Sequence, residues 1–289
     1  MFDIATEAER FGLNRRMSEP WGKKLSDEVF LGRCDRLNKH LFGRKFITTY
    51  IWKEKSEIVS SLDALEVDLI VNRPELKLVR GVLIANVITP VEHRKKGHAT
   101  ELLKSYFKEF PEIAGVLYSD IGPGFYRRFG FHESPISSLT VPAGYSDLKI
   151  ERVGMEEGIK QIDQKRWRAM RDTQGPALSL QPNFLFLDWQ IERYRYFAEV
   201  ARHSFPSRVF YRWGESWALA VPHFLFDQVE VFWMNELNLD LLNAIARDLG
   251  VSKIVYWGQG EGKVEYPMAR NNRAIESLAF LDAQLIDWW

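Results

Sequence analysis

The stretch VITPVEHRKKGHATELL, residues 87–103, decides the fold. Upstream of it, residues 78–89 are apolar enough for a central strand buried on both faces. Downstream, Ala99, Leu102, Leu103, Tyr106, Phe107 and Phe110 recur at i, i+3, i+4, i+7, i+8 and i+11, so a helix with one apolar face begins near Gly97 and closes at Pro111. A short apolar strand over 115–119 follows. Strand, tight turn, helix, strand is a βαβ unit, which requires parallel pairing and places the chain in the α/β (mixed α+β) class.

The turn itself reads Arg94-Lys95-Lys96-Gly97-His98-Ala99, an Arg-x-x-Gly-x-Ala spacing. Unpaired N–H groups at a helix start and the positive end of its dipole suit a diphosphate, and glycine with a small residue lets phosphates approach the backbone. A run of three basic residues is by itself more often a solvated surface. Its place at the carboxyl end of a central strand, where open α/β sheets hold their ligands, favours the phosphate reading. Neither the P-loop spacing nor the Gly-x-Gly-x-x-Gly dinucleotide spacing occurs.

Working outward, 289 residues with 46% hydrophobic and 27% charged side chains describe a globular chain of about two domains. Basic and acidic residues number 39 each, so no global field exists to hold nucleic acid or an anionic membrane. The longest apolar stretch, 82–91, is about half the roughly 20 residues a bilayer requires. MFDIATEAER lacks the order of a secretory signal, and Cys34 is the single cysteine, read as a buried structural thiol; a reducing, cytoplasmic setting is expected. The six histidines, at 40, 93, 98, 132, 203 and 223, form no ligand motif, and no metal is expected.

Residues 1–45 read as helix and loop, with Ser26 as an N-cap, and strands follow over 45–52 and 57–71. A short helix is expected over 125–129. The segment SPISSLTVPAGYS, 134–146, marks a loop or seam, and a boundary near 148 divides domain 1–148 from domain 149–289. In the second half, helices are expected near 156–171 and 187–201, and strands near 208–212, 217–226 and 229–234. A helix with Leu237, Leu241, Leu242, Ile245, Ala246 and Leu249 on one face then ends at Gly250, before a strand over 254–257. This repeats the strand, helix, strand order some 145 residues on, as a degenerate duplicate or as a coincidence of order. It has no second Arg-x-x-Gly-x-Ala. Residues 258–262 read as a flexible connection.

A second block, Tyr118-Ser119-Asp120-Ile121-Gly122 followed by Phe125-Tyr126-Arg127-Arg128-Phe129-Gly130-Phe131, comes about twenty residues after the basic turn. In this order the two blocks resemble the GNAT superfamily of acetyl-CoA-dependent N-acetyltransferases. The resemblance implies a GNAT-type fold with a central mixed sheet, and a second α/β domain, GNAT-like if the duplication holds, that contributes to the acceptor site. It implies that backbone groups of Val87, Ile88 and Thr89 pair with the pantetheine arm. N–H groups from Arg94, Lys95, Lys96, Gly97, His98, Ala99 and Thr100 would hold the pyrophosphate, with Ser119 and Phe125 beside the same cleft.

Tyr126 matches the position of the superfamily's acid, and a phenol with a pKa of about 10 can protonate a departing thiolate. Asp120 is a candidate for receiving the amine proton or binding the acceptor, and equally for capping the turn before Gly122. His132 and Glu133 read as solvated. Over residues 19–134, ITPVEHRKKGHA and YSDIGPGFY, with Trp21-Gly22, Leu25-Ser26 and Phe30-Leu31, are similar to the fungal L-lysine N6-acetyltransferases of lysine catabolism. That likeness implies free L-lysine as acceptor, with Arg193, Arg195 or Arg212 for its carboxylate. A protein lysine, a polyamine, an aminoglycoside and a non-catalytic CoA-binding role are the other readings.

Overall fold

A computed structural model describes residues 1–22, 24–119, 121–134, 136–258, 263–270 and 279–280. The first half runs β1 (Phe2–Ile4), α1 (Glu7–Trp21), α2 (Asp27–Lys39), α3 (Leu41–Phe46), β2 (Ile47–Glu54), β3 (Glu57–Val71), β4 (Lys77–Ile88), α4 (His98–Glu109), β5 (Ala114–Ser119), β6 (His132–Glu133) and β7 (Ile136–Pro142). The second runs β8 (Glu151–Val153), α5 (Met155–Asp172), β9 (Ala177–Gln181), α6 (Phe184–Val200), β10 (Phe210–Trp213), β11 (Ser216–His223), β12 (Gln228–Met234), α7 (Leu239–Leu249), β13 (Lys253–Gly258), β14 (Lys263–Arg270) and β15 (Ala279–Phe280).

Local chemistry starts the helices where the sequence places the caps. Thr6 and Glu9 form a capping box on α1, and the Ser26 hydroxyl accepts the Val29 N–H at 3.3 Å on α2. Alternation along the strands then sends side chains to two layers. Val82, Ile84 and Leu117 pack with Leu102, Leu103 and Tyr106 of α4, whereas Leu83, Ala85 and Val116 face Phe186, Leu187 and Trp189 of α6. Helices therefore cover both faces of a mixed sheet, the architecture of the GNAT fold.

Strands follow the path β1-β2-β3-β4-β5-β14-β7-β13-β12-β11-β10-β8. The parallel β4–β5 ladder confirms the expected βαβ unit, and β12 and β13 repeat it around α7. Two second-half strands enter the first half's sheet. β9 pairs with residues 68–71 of β3, and β14 pairs with β5 over 266–270 and with β7 over 263–265. Two local expectations are corrected. The segment read as a loop contains β7, whose serines and valine extend along β13, and the helix at 125–129 shrinks to a single 3-10 turn, Arg127–Phe129, ended by Gly130 at φ +82°.

The feature that matters most is where β4 and β5 part. They pair from Gly81↔Ala114 to Ile84↔Leu117 and no further, although β4 continues to Ile88 and β5 to Ser119. On its other edge β4 carries one extra residue, because Asp63 faces Ala85 while Ser61 faces Ile88. Asn86 sits in this bulge with φ +49°. Its amide donates to Asp63 Oδ2 at 2.7 Å, and Asp63 Oδ1 accepts the Thr49 hydroxyl at 2.5 Å. The bulge bends β4 away from β5 and leaves an open V at the strand ends.

Candidate active site

The mouth of that V opens on a cleft of about 590 Å³. Val87, Ile88 and Thr89 from β4 line it, as do Arg94, Lys95 and Gly97 from the turn, and His98, Ala99 and Thr100 from the start of α4. Phe125 and Tyr126 face them across the opening. Of the residues singled out as cofactor contacts, these nine and Phe125 are brought together. Lys96 and Ser119 do not line the cleft: the Lys96 ammonium folds back to the Glu92 carbonyl at 3.0 Å, and the Ser119 hydroxyl, buried, donates to the Gly122 carbonyl at 2.7 Å. Asp120 lies outside the described residues.

The turn has the construction an anion site requires. Lys95 and Gly97 adopt left-handed conformations, φ +62° and +86°, which turn the chain sharply into α4. Gly97 is the N-cap and supplies no side-chain acceptor, so the first N–H groups of α4 have no cap of their own. A Cβ at Gly97 would meet no atom within 4 Å, so the backbone faces open space. The Arg94 Nε donates to the Thr89 carbonyl at 3.0 Å and clasps the two ends of the turn.

His93 and His98, whose rings stand 6.1 Å apart, tie this turn to the β2–β3 hairpin. His93 Nε2 is 3.1 Å from Glu57 Oε1 and His98 Nδ1 is 3.3 Å from Glu54 Oε1. An uncapped helix start, a left-handed glycine and a splayed strand together fit a diphosphate with an extended arm, as acetyl-CoA has.

A second chamber of about 560 Å³ meets the cleft at the bulge, and Pro20, Trp21, Val87 and Tyr126 stand in both walls. Tyr126 is 7% exposed and packs against Phe125 and Phe131, with centroids at 4.9 and 6.2 Å. The far wall comes from the second half and includes Arg193, Tyr194, His223 and Glu230. His223 is stacked between Phe197 (4.7 Å) and Phe226 (4.3 Å), and burial pushes its pKa down.

Of the three arginines considered for an acceptor carboxylate, Arg193 lines this chamber. Arg195 is paired with Asp188 and Glu192, and Arg212 with Glu151 and Glu157, and neither reaches it. Sequence reasoning missed Arg33, Glu230 and the Trp21 wall. Cys34 also lines the chamber, and burial pushes its thiol pKa up, as befits a structural rather than a nucleophilic cysteine. Among the described residues no group of three or more His, Cys, Asp or Glu side chains is arranged around a metal position, and no helix is long and apolar enough to cross a membrane.

Comparison with known proteins agrees with this geometry. Residues 13–133 match the acetyltransferase (GNAT) domain family. Similar solved structures include GCN5-related N-acetyltransferases from Anabaena variabilis (TM-score 0.57, 14% identity, 94% of this chain and 73% of that one) and Kribbella flavida (0.55, 13%, 94% and 72%). A Pyrococcus horikoshii protein matches over 99% of this chain and 92% of its own, at TM-score 0.57 and 12% identity. At such identities the likeness is one of fold. No curated protein matches the sequence.

Proposed function

We propose that the chain, whose residues 13–133 match the acetyltransferase (GNAT) domain family, transfers acetyl from acetyl-CoA directly to the ε-amine of free L-lysine. The observation that carries the transfer is the meeting of two cavities at the β4 bulge, one with an uncapped helix start, the other closed by the second half, with Tyr126 in both walls. The choice of lysine rests on the likeness of residues 19–134 to the fungal lysine N6-acetyltransferases. Division at 148 into a catalytic and a covering domain, with β9 and β14 stitching them together, belongs to the same proposal, as does a cytoplasmic setting.

In this reading acetyl-CoA supplies an activated thioester, and N–H groups at the start of α4 hold its pyrophosphate. Val87 and Ile88 orient the pantetheine arm along the open edge of β4, and the protein acts mainly by alignment and by polarising the carbonyl. The amine lone pair forms the C–N bond, the C–S bond breaks, and the Tyr126 hydroxyl gives its proton to the departing thiolate. The nitrogen loses one proton to solvent and the Tyr126 phenolate takes one back, so the tyrosine is restored and the products are the amide and CoA thiol. Lysine's ε-ammonium, with a pKa of about 10.4, has to lose one proton before attack, and a chamber with aromatic walls favours the neutral amine.

The test is to incubate the purified chain with acetyl-CoA and a panel of L-lysine, other amino acids, polyamines, aminoglycosides and a lysine-containing peptide, following thiol release and identifying products by mass spectrometry. N6-acetyllysine formed in preference to all others is expected. Acetyl-CoA binding without thiol release from any amine would reject transfer in favour of a CoA-binding role.

A further inference from the structure

The acceptor chamber has an unusual charge inventory. Among the described residues lining it, Lys24, Arg33 and Arg193 are cations and Glu230 is the one acidic side chain. Three other half-buried arginines are ion-paired: Arg36 with Glu192 and Glu199, Arg195 with Asp188 and Glu192, and Arg152 with Asp248. Arg33 and Arg193 differ. Each has a buried Nε with no hydrogen-bond partner, and neither has an ion-pair partner among the described residues. Arg33 lies over the Phe30 ring at 4.4 Å, and its Nη2 donates to the Cys34 sulfur at 3.8 Å. Arg193 lies over Tyr194 at 4.8 Å and Phe232 at 5.8 Å. Aromatic faces hold both guanidiniums in place, and beyond the weak sulfur acceptor on Arg33 their hydrogen-bonding edges are not engaged by any oxygen among the described residues.

The two arginines come from opposite halves, Arg33 from α2 and Arg193 from α6, yet they converge. Both lie near enough to Tyr194 and His223 for their charge to act on those groups. Glu230, on β12 in the same wall, accepts the Tyr194 hydroxyl on one oxygen and the Gln228 amide at 3.0 Å on the other, and each oxygen keeps a further lone pair. A partly buried, unpaired cation is unfavourable until an anion neutralises it, and two convergent guanidinium forks match one carboxylate well. A polyamine or aminoglycoside would instead bring several positive charges against three cations.

We propose that the chamber selects an α-amino acid as the acceptor, with Arg33 and Arg193 clamping its carboxylate and Glu230 taking its α-ammonium. This deepens the transfer reading and rests on it. The side-chain amine of such an acceptor is then the group left to reach Tyr126 and the open edge of β4, which makes the α-carboxylate the handle that fixes which nitrogen reacts. Arg33 and Arg193 act as specificity-determining residues, outside the reacting atoms.

The test pairs L-lysine with cadaverine, which keeps both amines and lacks the carboxylate. Calorimetric titration of the intact protein with each, in the presence of CoA, reads the chamber without turnover, and thiol release from acetyl-CoA is followed in parallel. Lysine is expected to bind at least tenfold more tightly than cadaverine. Arg193→Met and Arg33→Met should each weaken lysine at least tenfold while leaving cadaverine within about twofold, with melting curves checking that the variants fold. Arg193→Lys should recover only part of the loss, because an ammonium cannot reproduce the fork. Equal binding of lysine and cadaverine, or arginine variants that lose both alike, would overturn the proposal. Absent thiol release with the binding pattern intact would reject transfer and leave the carboxylate site standing.

Discussion

Asn86 offers the sharpest test of how the splayed site is held open. Its backbone sits at φ +49° in the β4 bulge, and its amide is one of two donors to the buried Asp63 carboxyl. Asn86→Gly keeps the left-handed conformation accessible but leaves Asp63 one donor short, a loss of about 1–3 kcal/mol for a buried group. Asn86→Ala suffers the same loss and adds a left-handed penalty of about 1–2 kcal/mol, less the roughly 0.4–1 kcal/mol that alanine recovers over glycine by stiffening the unfolded chain.

The alanine variant should therefore be about 1 kcal/mol less stable than the glycine variant in urea unfolding. The pH dependence adds a second reading. Burial pushes the Asp63 pKa up while the Thr49 and Asn86 hydrogen bonds oppose it. The folded state thus holds this proton over a window in which the unfolded carboxyl, with a pKa of about 3.9, is ionised, and stability falls as pH rises through that window. Either substitution should steepen the fall and carry it to higher pH. Equal stabilities for the two variants, with a wild-type pH profile, would refute the account of the bulge.

Four further expectations follow from the site and its frame. Tyr126→Phe should keep acetyl-CoA affinity and lower kcat by about 10²–10⁴-fold, the usual reach of a general acid; unchanged turnover would remove Tyr126 from that role. Gly97→Glu should abolish CoA binding by placing a carboxylate at the anion turn, whereas Gly97→Ala, which meets no atom within 4 Å, should cost only its backbone strain of about 1–2 kcal/mol in unfolding experiments. The Lys53 ammonium and the Thr6 N–H hold Glu9 down at about 2, so its contribution is present above the unfolded pKa of about 4.3 and is lost as pH falls towards 2. Glu9→Gln should flatten that acid limb in thermal melts. Calorimetry should count one CoA per chain, because Asn238 already caps the start of α7, and two equivalent sites would contradict that.

The βαβ unit was legible because its signals are local. The period of α4, the apolar run of β4 and the glycine of the turn all lie within about thirty residues, and each has one physical reading. What the sequence concealed is non-local. β14 joins β5 across some 150 residues, and nothing in either strand names its partner. The second chamber draws Arg33, Arg193 and Glu230 from α2, α6 and β12, so no spacing links them. One signal was available and unused: Asp188, Glu192 and Arg195 fall at helical spacing, which predicts the ion pairs that hold Arg195 away from the chamber. Lys96 misled for a related reason, since charge in the turn does not reveal that its ammonium folds back to a carbonyl four residues earlier.

The second βαβ unit shows how small a change separates a nucleotide turn from structural filling. β12 and β13 pair from Gln228↔Lys253 to Glu230↔Val255 and then part, much as β4 and β5 do. Here the parting is filled, with Phe232 and Trp233 completely buried. The Lys165 ammonium caps the Met234 and Asn235 carbonyls, where the strand leads into the turn. Asn238, the N-cap of α7, accepts the Leu241 N–H at 3.0 Å, so an N–H group that glycine leaves free on α4 is already satisfied within the chain. A helix start that supplies its own acceptor has less to offer an anion. Freed from that role, β12 contributes Glu230 to the wall of the second chamber instead, and the half of the chain that lacks the anion turn becomes the half that walls the chamber beside the cleft.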